Sequence, residues 1–473
     1  MAAKPTLQPA PKPQKIPPVA PARREAFAIL LEVERGQAYA DDLLRNARVS
    51  ALTSQDRHLC TTLVMGTLRW QIQLDATIRP LLAKPNARLD TEIRIALRLG
   101  AFQLLRLDRI PDHATISESV SLARLAGHKF AAGMVNAVLR KLASQPKPGL
   151  SEAANPSPAA LAEATAHPLW LVERWIGNYG FDAAKAICEQ GQQQPELTLR
   201  LDGKELEAEL AADGIQLASG AILSEARRIL TGDVTATEAF KAGRVRIQEE
   251  GSQLIAELCG DLKQLPKRIL DCCAAPGGKT LILAELNPQA QITAYEISPA
   301  RFEALKARVA DSAYASKIDV VQADASELES ADLYDVVLAD VPCSGTGTMG
   351  RNPEIRHRLK PEDLARHHAR QCAILHGALR VGTRRVVYST CSLEPEENSA
   401  VVEEVLAQSP DWERVSVAAI LCELRDEGCL QAGSAELLLK ATAQDGSLTI
   451  LPGSLGLEVQ TDGFFLALLE RRS

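Results

Sequence analysis

The sequence predicts a multidomain protein that combines an all-α helical bundle, a small α/β subdomain and a Rossmann-like α/β domain. Apolar residues recur at helical spacing throughout 23–142, which predicts the bundle. Strand and helix patterns follow in 167–244 and then alternate regularly through 245–473, which is typical of a doubly wound parallel sheet. The proline-rich residues 1–22 predict a disordered tail, and the Pro-, Ser- and Ala-rich residues 143–166 predict a linker.

Composition excludes several classes of protein. The chain of 473 residues is 46% hydrophobic and 24% charged, as in soluble globular proteins. It has no apolar run of the roughly 18 residues that span a membrane, and its N-terminus, with seven prolines in the first 21 residues, lacks the apolar region of a secretory signal. Its ten cysteines form no CxxC pair, so we expect a reducing cytoplasm, with neither a disulfide framework nor a metal site.

Positive charge is concentrated in the first third of the chain. Residues 1–150 contain 22 Lys and Arg against 12 Asp and Glu, whereas the remaining residues contain 31 against 48. A basic front end predicts an anionic partner for the bundle, although solvated helix faces would give the same counts. The bundle has no acid–base cluster of its own.

Each part follows its own pattern along the chain. In the bundle, "RREAFAILLEVERG" spaces its apolar residues as one face of a helix and ends at Gly36. In the subdomain, "ELTLRLD", "LEAELAADGI" and "ARRILTGD" predict a strand, a helix and a strand. In the last domain, one strand precedes "DCCAAPGGKT" and others end in "QITAYE", "VVQAD", "VVLAD" and "VVYST". Because ligands bind beyond the carboxyl ends of such strands, we expect their terminal residues to face one crevice.

Three consecutive strand ends predict a site for an adenosyl ligand. The turn "DCCAAPGGKT" joins glycines to a helix N-terminus, which suits a carboxylate or phosphate but is also common for structural reasons. Glu296 ends the next strand, where an acid can bind the hydroxyls of a ribose, and Asp324 ends the third. Since the GxGxxG and GxxxxGK(S/T) spacings are absent, S-adenosylmethionine fits better than NAD or ATP.

Two cysteines lie in polar loops directly after strands. Cys343 follows "ADVP" and Cys391 follows "VVYST", and their serine, threonine and glycine neighbours are typical of reactive thiols. A thiolate can add to carbon 6 of a pyrimidine and thereby activate carbon 5 toward a methyl donor. Inert packing is the alternative for a lone cysteine, and we assign it to Cys272 and Cys273 in the glycine turn.

These motifs resemble a known family. "DCCAAPGGKT", "ADVPCSGTGTMGRNPEIRHRL", "YSTCSLEPEEN" and "TDGFFLALLER" are similar to the bacterial Sun/RsmB branch of the RNA (cytosine-5) methyltransferases. The bundle, through "IPDHATISESV" and "GMVNAVLRKL", resembles the RNA-binding NusB family. The resemblance covers nearly the whole chain apart from the tail and the linker. It implies a NusB-like bundle in front of an S-adenosylmethionine-dependent methyltransferase domain.

The resemblance implies a role for each matching residue. It makes Cys391 the nucleophile and Cys343 the residue that helps to release the product. It places the target cytosine beside Asp340 and RNA against Arg351, although "MGRNPEIRHRL" has one arginine where relatives often carry a basic pair, which leaves the RNA contacts of that loop open. The implied cofactor-binding residues are Cys273, Ala274, Ala275, Pro276, Gly277, Gly278, Lys279, Glu296, Arg301, Asp324 and Asp340.

The implied activity is methylation of carbon 5 of a cytosine in small-subunit (16S) ribosomal RNA by a monomer, with no metal and no membrane. Transfer RNA and large-subunit ribosomal RNA stay open as substrates, and a non-catalytic RNA-binding assembly factor stays open as a different class. Such a factor would not need Cys391, so the intact cysteine pair favours the enzyme. Residues 421–450 match no motif and predict a peripheral insertion.

Overall fold

The computed structural model describes residues 18–36, 38–146, 157–260, 265–329, 333–456 and 460–472. Most of the predicted disordered tail, residues 1–17, therefore lies outside the described residues. The chain divides into two compact units, 1–169 and 170–473. None of the helices within the described ranges combines the length and the apolar character that crossing a bilayer requires.

The first unit is an all-α bundle, as predicted. Its helices are α1 (Pro21–Glu34), α2 (Ala40–Leu44), α3 (Ala47–Ser50), α4 (Ser54–Ile78), α5 (Thr91–Arg106), α6 (Asp112–Leu125), α7 (Ala132–Ala143) and α8 (Pro158–Ala164). Helices α4 and α5 approach closely because Gly66 has no side chain: a Cβ there would lie 2.0 Å from Cζ of Phe102. The same two helices share a partly buried ion pair, in which Nη2 of Arg98 lies 2.6 Å from Oδ2 of Asp75.

Two boundaries of this unit differ from the sequence prediction. Helix α1 begins at Pro21, inside the predicted tail, because proline is well suited to the first turn of a helix. The predicted linker 143–166 contains α8, whose first turn is capped by Ser157, which accepts a hydrogen bond from the amide of Ala160. Helix α8 contacts α4 and buries Ala162, so a local cap and a packed face hold a helix where composition predicted a linker.

The second unit begins with the small α/β subdomain. Its elements are α9 (Leu169–Tyr179), α10 (Phe181–Gly191), β1 (Thr198–Leu201), α11 (Leu206–Ala212), β2 (Gln216–Ser219), β3 (Ala226–Thr231), α12 (Glu238–Lys241) and β4 (Val245–Ile247). The four strands form an antiparallel sheet in the order β2-β3-β1-β4. In β4, Ile247 lies opposite Leu199, and Val245 packs into the subdomain core. This strand therefore belongs to the small sheet, and the subdomain extends beyond the predicted end at residue 244.

The rest of the second unit is built on an eight-stranded sheet. Its elements are α13 (Glu250–Glu257), β5 (Arg268–Asp271), α14 (Gly278–Leu286), β6 (Gln291–Tyr295), α15 (Pro299–Ala310), β7 (Ile318–Val321), β8 (Tyr334–Asp340), α16 (Ile355–Arg358), α17 (Asp363–Val381), β9 (Gly382–Thr390), α18 (Ser399–Ala407), β10 (Trp412–Val415), α19 (Ala418–Asp426), α20 (Ser434–Ala441), β11 (Leu448–Ile450) and β12 (Phe464–Arg471). The strand order is β10-β12-β9-β8-β5-β6-β7, and β11 pairs with β12.

The predicted parallel sheet is present, but the complete sheet is mixed. Strands β7, β6, β5, β8 and β9 run parallel, whereas β12 runs antiparallel between β9 and β10. Successive residues of β8 pack on opposite faces: Val336 and Leu338 enter one core, and Val337 and Ala339 enter the other. The chain leaves β5 toward β6 on one side and later returns to β8 on the other. This reversal opens a crevice beyond the carboxyl ends of β5 and β8.

Residues 421–450 are not peripheral, contrary to the prediction from sequence. They include α20, β11 and most of α19, and their apolar residues Leu421, Leu438 and Ile450 enter the core on one face of the large sheet. Leu430 forms a β-bridge with Leu223 of the small subdomain. The segment matches no catalytic motif because its apolar residues pack against the sheet. Periodicity alone does not reveal which face of a sheet a short helix covers.

Candidate active site

A cavity of about 190 Å³ lies beyond the carboxyl ends of the parallel strands β5 to β9. It occupies the place where the strand order reverses, which is where open α/β sheets bind ligands. Seven residues that the sequence predicted as functional line the cavity: Cys273, Ala275, Glu296, Arg301, Asp340, Cys343 and Cys391. Other lining residues carried no functional prediction: Cys272, Ile297, Ala323, Ala325, Val341, Pro342, Arg370 and Ile374.

The glycine turn between β5 and α14 forms one wall. Gly277 adopts a φ of +96°, a left-handed backbone that suits glycine, and its amide bonds to the carbonyl of Ala274 at 2.7 Å. Asp271, at the end of β5, accepts a hydrogen bond from Oγ1 of Thr280 at 2.7 Å, and its burial raises its pKa to about 6. The predicted residues Ala274, Pro276, Gly277, Gly278 and Lys279 belong to the turn and the start of α14 but are not among the lining residues.

Glu296 and Arg301 form the adjoining wall after β6. The Glu296 side chain is 4% exposed, and its Oε1 accepts a hydrogen bond from the amide of Ser298 at 2.8 Å. Its Oε2 lies 3.7 Å from Nε of Arg301. Arg301 in turn donates from Nη2 to the carbonyl of Ala275 at 2.6 Å, which joins α15 to the glycine turn. The structure thus brings the predicted ribose acid, Arg301 and the turn together.

Asp324 lies after β7 and is not itself among the lining residues, although its neighbours Ala323 and Ala325 are. Its Oδ1 accepts hydrogen bonds from Nη2 of Arg370 and Oγ of Ser326, each at 2.7 Å. Burial acts to raise the pKa of Asp324, but these hydrogen bonds outweigh it and lower the pKa. Contact of Asp324 with the cofactor stays a prediction. Arg370 comes from the middle of α17, where the helical pattern gave no sign of a role.

The two cysteines meet at the far side of the cavity. Sγ of Cys343 lies 3.3 Å from Sγ of Cys391, although the two residues follow different strands, β8 and β9. Because β8 and β9 are parallel neighbours, their carboxyl ends place both loops at one edge of the sheet. The hydrogen bond with Cys391, together with burial, raises the pKa of Cys343 well above its ordinary value. The structure therefore brings the two predicted catalytic residues into direct contact.

Asp340 is held in place at the end of β8. Its Oδ2 lies 2.8 Å from Nζ of Lys279, and its Oδ1 accepts a hydrogen bond from Oγ of Ser389 at 2.7 Å. Burial acts to lower the pKa of Lys279, but the charge and hydrogen bond of Asp340, followed by the charges of Cys391 and Asp271, outweigh it and raise the pKa. The lysine of the glycine turn thus places a positive charge beside Asp340 and near the cysteines.

Two further elements fix the Cys391 loop, residues 391–398. Helix α9 donates from Nε of Arg174 and Nε1 of Trp175 to the carboxylate of Glu394, at 2.8 and 3.0 Å. The amide of Gly347 bonds to the carbonyl of Cys391 at 2.9 Å, and the amide of Gly463 bonds to the carbonyl of Gly347 at 2.8 Å. The small subdomain and the segment before β12 therefore both support the loop.

Arg351 is not among the residues that line the cavity. Its Nε lies 2.7 Å from Oδ2 of Asp462, and its Nη2 donates to the carbonyl of Glu196 at 3.2 Å. These contacts favour a role in holding the segment before β12. A contact between Arg351 and RNA stays a prediction.

One cluster among the described residues has the composition of a metal site. Ligand atoms of His368, Cys372 and Glu404 lie within 4.8 Å of one another. Nε2 of His368 bonds to Oε2 of Glu404 at 2.9 Å, and Nδ1 donates to the carbonyl of Glu396 at 2.6 Å. Both ring nitrogens thus have hydrogen-bond partners within the protein, and the cluster is not among the residues that line the cavity.

The sequence matches three family models. Residues 262–470 match 16S rRNA methyltransferase RsmB/F, residues 20–144 match the NusB family, and residues 167–232 match the ferredoxin-like domain of RsmF/B-like methyltransferases. A probable ribosomal RNA small subunit methyltransferase B from Bacillus subtilis is 33% identical, over 94% of this chain and 98% of its own. The chain belongs to the RsmB/F family of ribosomal RNA methyltransferases.

A further relative supports this family, and two solved structures share the fold. The ribosomal RNA small subunit methyltransferase B of Pseudomonas putida is 30% identical over 90% of this chain and 96% of its own. The crystal structure of PH0851 covers 97% of this chain and 100% of its own with a TM-score of 0.76 at 22% identity. NSun6 from Pyrococcus horikoshii with SFG covers 65% of this chain and 98% of its own, with a TM-score of 0.53 at 17% identity. The predicted family and the predicted multidomain fold, with its NusB-like bundle, are both confirmed.

Proposed function

We propose that this ribosomal RNA methyltransferase modifies carbon 5 of a cytosine in small-subunit ribosomal RNA, through a covalent bond between Cys391 and the base. The observation that carries the proposal is the 3.3 Å separation of the Cys343 and Cys391 sulfurs at the edge of a cavity that Glu296 also lines. Such a pair suits a reaction in which one sulfur attacks and the other assists release. Methyl transfer to an oxygen or an exocyclic nitrogen gives no use to two adjoining thiols.

The residues around the cavity fit S-adenosylmethionine as the methyl donor. The carboxylate of Glu296 is buried at the lining, and its remaining lone pairs can accept hydrogen bonds from the two ribose hydroxyls. The backbone of the glycine turn leads into the N-terminus of α14, whose dipole favours the carboxylate of the methionine part. When bound, this cofactor supplies an activated methyl group. Arg301 and Asp324 are proposed to complete the site on the ribose and adenine sides.

The chain's own residues then account for the chemistry on the base. Sγ of Cys391 bonds to carbon 6, and the electron pair of the double bond makes carbon 5 nucleophilic. The Asp340 carboxyl, oriented by Lys279 and Ser389, is placed to hydrogen-bond the cytosine. After methylation a proton acceptor removes the proton from carbon 5, and its electron pair restores the double bond between carbons 5 and 6. The bond between carbon 6 and the sulfur of Cys391 then breaks. We assign Cys343 to this release step.

Cysteine variants test the proposal on one denaturing gel. With S-adenosylmethionine and a small-subunit ribosomal RNA fragment, Cys391→Ala should form neither 5-methylcytosine nor a covalent complex. Cys343→Ala should accumulate a covalent protein–RNA complex because release fails. Cys422→Ala, a half-buried cysteine that is not among the cavity-lining residues, is the matched control and should behave as wild type. A complex in the Cys391 variant instead would reverse the two roles, and partial activity without a complex in either variant would refute the covalent route.

The choice of RNA needs its own measurement. Bisulfite sequencing of small-subunit, large-subunit and transfer RNA from a deletion strain should reveal one lost 5-methylcytosine, in the small-subunit RNA. Loss in another RNA would keep the chemistry and change the substrate.

A further inference from the structure

Glu397 is a buried carboxylate in the Cys391 loop, with 0% exposure. Its Oε1 accepts hydrogen bonds from the amide of Ser344 at 2.8 Å and from Nε2 of Gln371 at 3.0 Å. Its Oε2 accepts hydrogen bonds from the hydroxyls of Ser344 and Ser392, the latter at 2.5 Å. A carboxylate offers about four lone-pair positions, and these four donors match them. The group is therefore held in one orientation by the protein itself.

Three of the four donors to Glu397 come from the two cysteine loops, and the fourth, Gln371, lies in α17. Ser344 directly follows Cys343, Ser392 directly follows Cys391, and the two hydroxyl oxygens lie 3.0 Å apart. The carboxylate thus ties the two chain segments together one residue away from each sulfur. The backbone bond from Gly347 to Cys391 also joins the loops, but it does not involve the residue beside Cys343.

The charge of Glu397 also acts on the thiol of Cys343. The hydrogen bond with Cys391 contributes most to the raised pKa of Cys343, followed by burial and by the negative charges of Cys391 and Glu397. Cys343 therefore holds its proton more tightly than an ordinary cysteine does.

We propose that Glu397 is a positioning residue that keeps Cys343 and Cys391 within reach of each other, and so makes product release follow attack. It acts through Ser344 and Ser392 and does not itself line the cavity. This inference rests on the proposed function, because release by a second sulfur needs that sulfur beside the covalent complex.

Two substitutions at Glu397 separate its geometry from its charge. Glu397→Ala removes all four hydrogen bonds. Glu397→Gln can keep them, since its amide oxygen accepts from Ser344 and Gln371 while its amide nitrogen donates to the two hydroxyls. The preceding residue gives a matched control: Glu396 is 45% exposed and pairs with Arg174.

Turnover and trapping of RNA give the first readout. Glu397→Ala should lose about 100-fold in multiple-turnover methylation, as expected for reacting groups displaced by about 1 Å, while covalent RNA complex accumulates. Its affinity for S-adenosylmethionine should be unchanged. Glu397→Gln should turn over at least about tenfold faster than Glu397→Ala. The turnover of Glu396→Ala should stay within about twofold of wild type. Parallel loss of cofactor affinity and turnover would instead mean that Glu397 only supports folding.

A second readout needs neither RNA nor catalysis. With diamide, the thiols of Cys343 and Cys391 lose two protons and two electrons to the reagent and form a disulfide, which mass spectrometry of the linked peptides detects. The rate of closure should fall about tenfold in Glu397→Ala and not in Glu396→Ala, because closure depends on how closely the sulfurs are held. Equal rates would overturn the positioning role. If Glu397→Ala does not fold, the double variant Ser344→Ala/Ser392→Ala replaces it in both assays.

The two readouts distinguish the failure of this inference from the failure of the proposed function. A wild-type protein that methylates no cytosine, and a Cys343→Ala variant that traps no RNA, would refute the function. The diamide rates would then still decide whether Glu397 holds the two sulfurs together.

Discussion

The substitution Arg200→Met tests the contact between the small sheet and the methyltransferase domain. Arg200 lies in β1 and is 2% exposed. It donates from Nη1 to Oε1 of Glu257 at 2.8 Å and from Nη2 to Oε1 of Glu285 at 2.7 Å, so that β1 is joined to α13 and α14. Arg246 of β4 binds the other oxygen of Glu285 at 2.5 Å.

The expected loss in free energy of unfolding depends on which carboxylate loses its partner. Methionine can fill much of the volume of Arg200, but Glu257, which is 6% exposed, loses the guanidinium that neutralises it. Removing one partner of a buried ion pair typically costs about 3–5 kcal/mol, since the other charge stays buried. Glu285 keeps Arg246, so the loss should come mainly from Glu257. For a unit of this size, we expect a fall in the melting temperature of roughly 10 °C.

A double variant and a surface control make the assay decisive. In Arg200→Met/Glu257→Gln the uncompensated charge is gone, so thermal and urea unfolding should show recovery of about 1–3 kcal/mol. The control is Arg244→Met, which removes another arginine with two hydrogen bonds to one carboxylate, that of Glu209, but at the surface. It should leave the melting temperature unchanged within error, because exposed pairs are weak. Equal losses in Arg200→Met and Arg244→Met, or no recovery in the double variant, would refute the reasoning.

Three further predictions concern the site. Glu296→Ala should weaken S-adenosylmethionine binding by about ten- to a hundredfold in calorimetric titration, and unchanged affinity would remove this residue from the site. Gly347→Ala should abolish turnover, because its Cβ would lie 2.4 Å from the carbonyl oxygen of Gly463; Gly133→Ala, where nothing lies within 4 Å, is the control that should keep full activity. Burial raises the pKa of Asp271 from 3.8 to about 6, so wild-type stability should fall as pH rises through this window. As pH rises through this window, the free energy of unfolding of Asp271→Asn should increase by up to about 3 kcal/mol relative to that of wild type. A difference between the two proteins in urea unfolding that does not vary with pH would contradict this.

Local patterns predicted the parts of the site that lie at strand ends. Glu296, Asp340, Cys343 and Cys391 each follow or end a strand, and parallel strands bring their carboxyl ends together without any further information. Arg370 and Glu397 gave no such signal. Arg370 lies in the middle of an amphipathic helix, and Glu397 is one of several acids after Cys391, so their roles depend on contacts between distant segments.

The wrong predictions about the fold have the same origin, because they also depend on contacts between distant segments. Whether β4 joins the small or the large sheet depends on which strand pairs with it, and the pairing of Ile247 with Leu199 is not encoded in either strand alone. Helix α8 did have a local signal, Ser157 followed by Pro158, but the composition around it outweighed that signal. Residues 421–450 looked peripheral because packing against a sheet leaves no motif.

The position of β12 has a consequence for when the protein becomes active during its synthesis. Strand β9, which leads to Cys391, is made before β12, yet β12 is its antiparallel neighbour, and the Gly463 segment supports the loop through Gly347. A nascent chain in which β9 has emerged but β12 has not would present an apolar strand with an open edge and a Cys391 loop without this support. We therefore expect catalysis to begin only after β12 has emerged from the ribosome and has inserted beside β9.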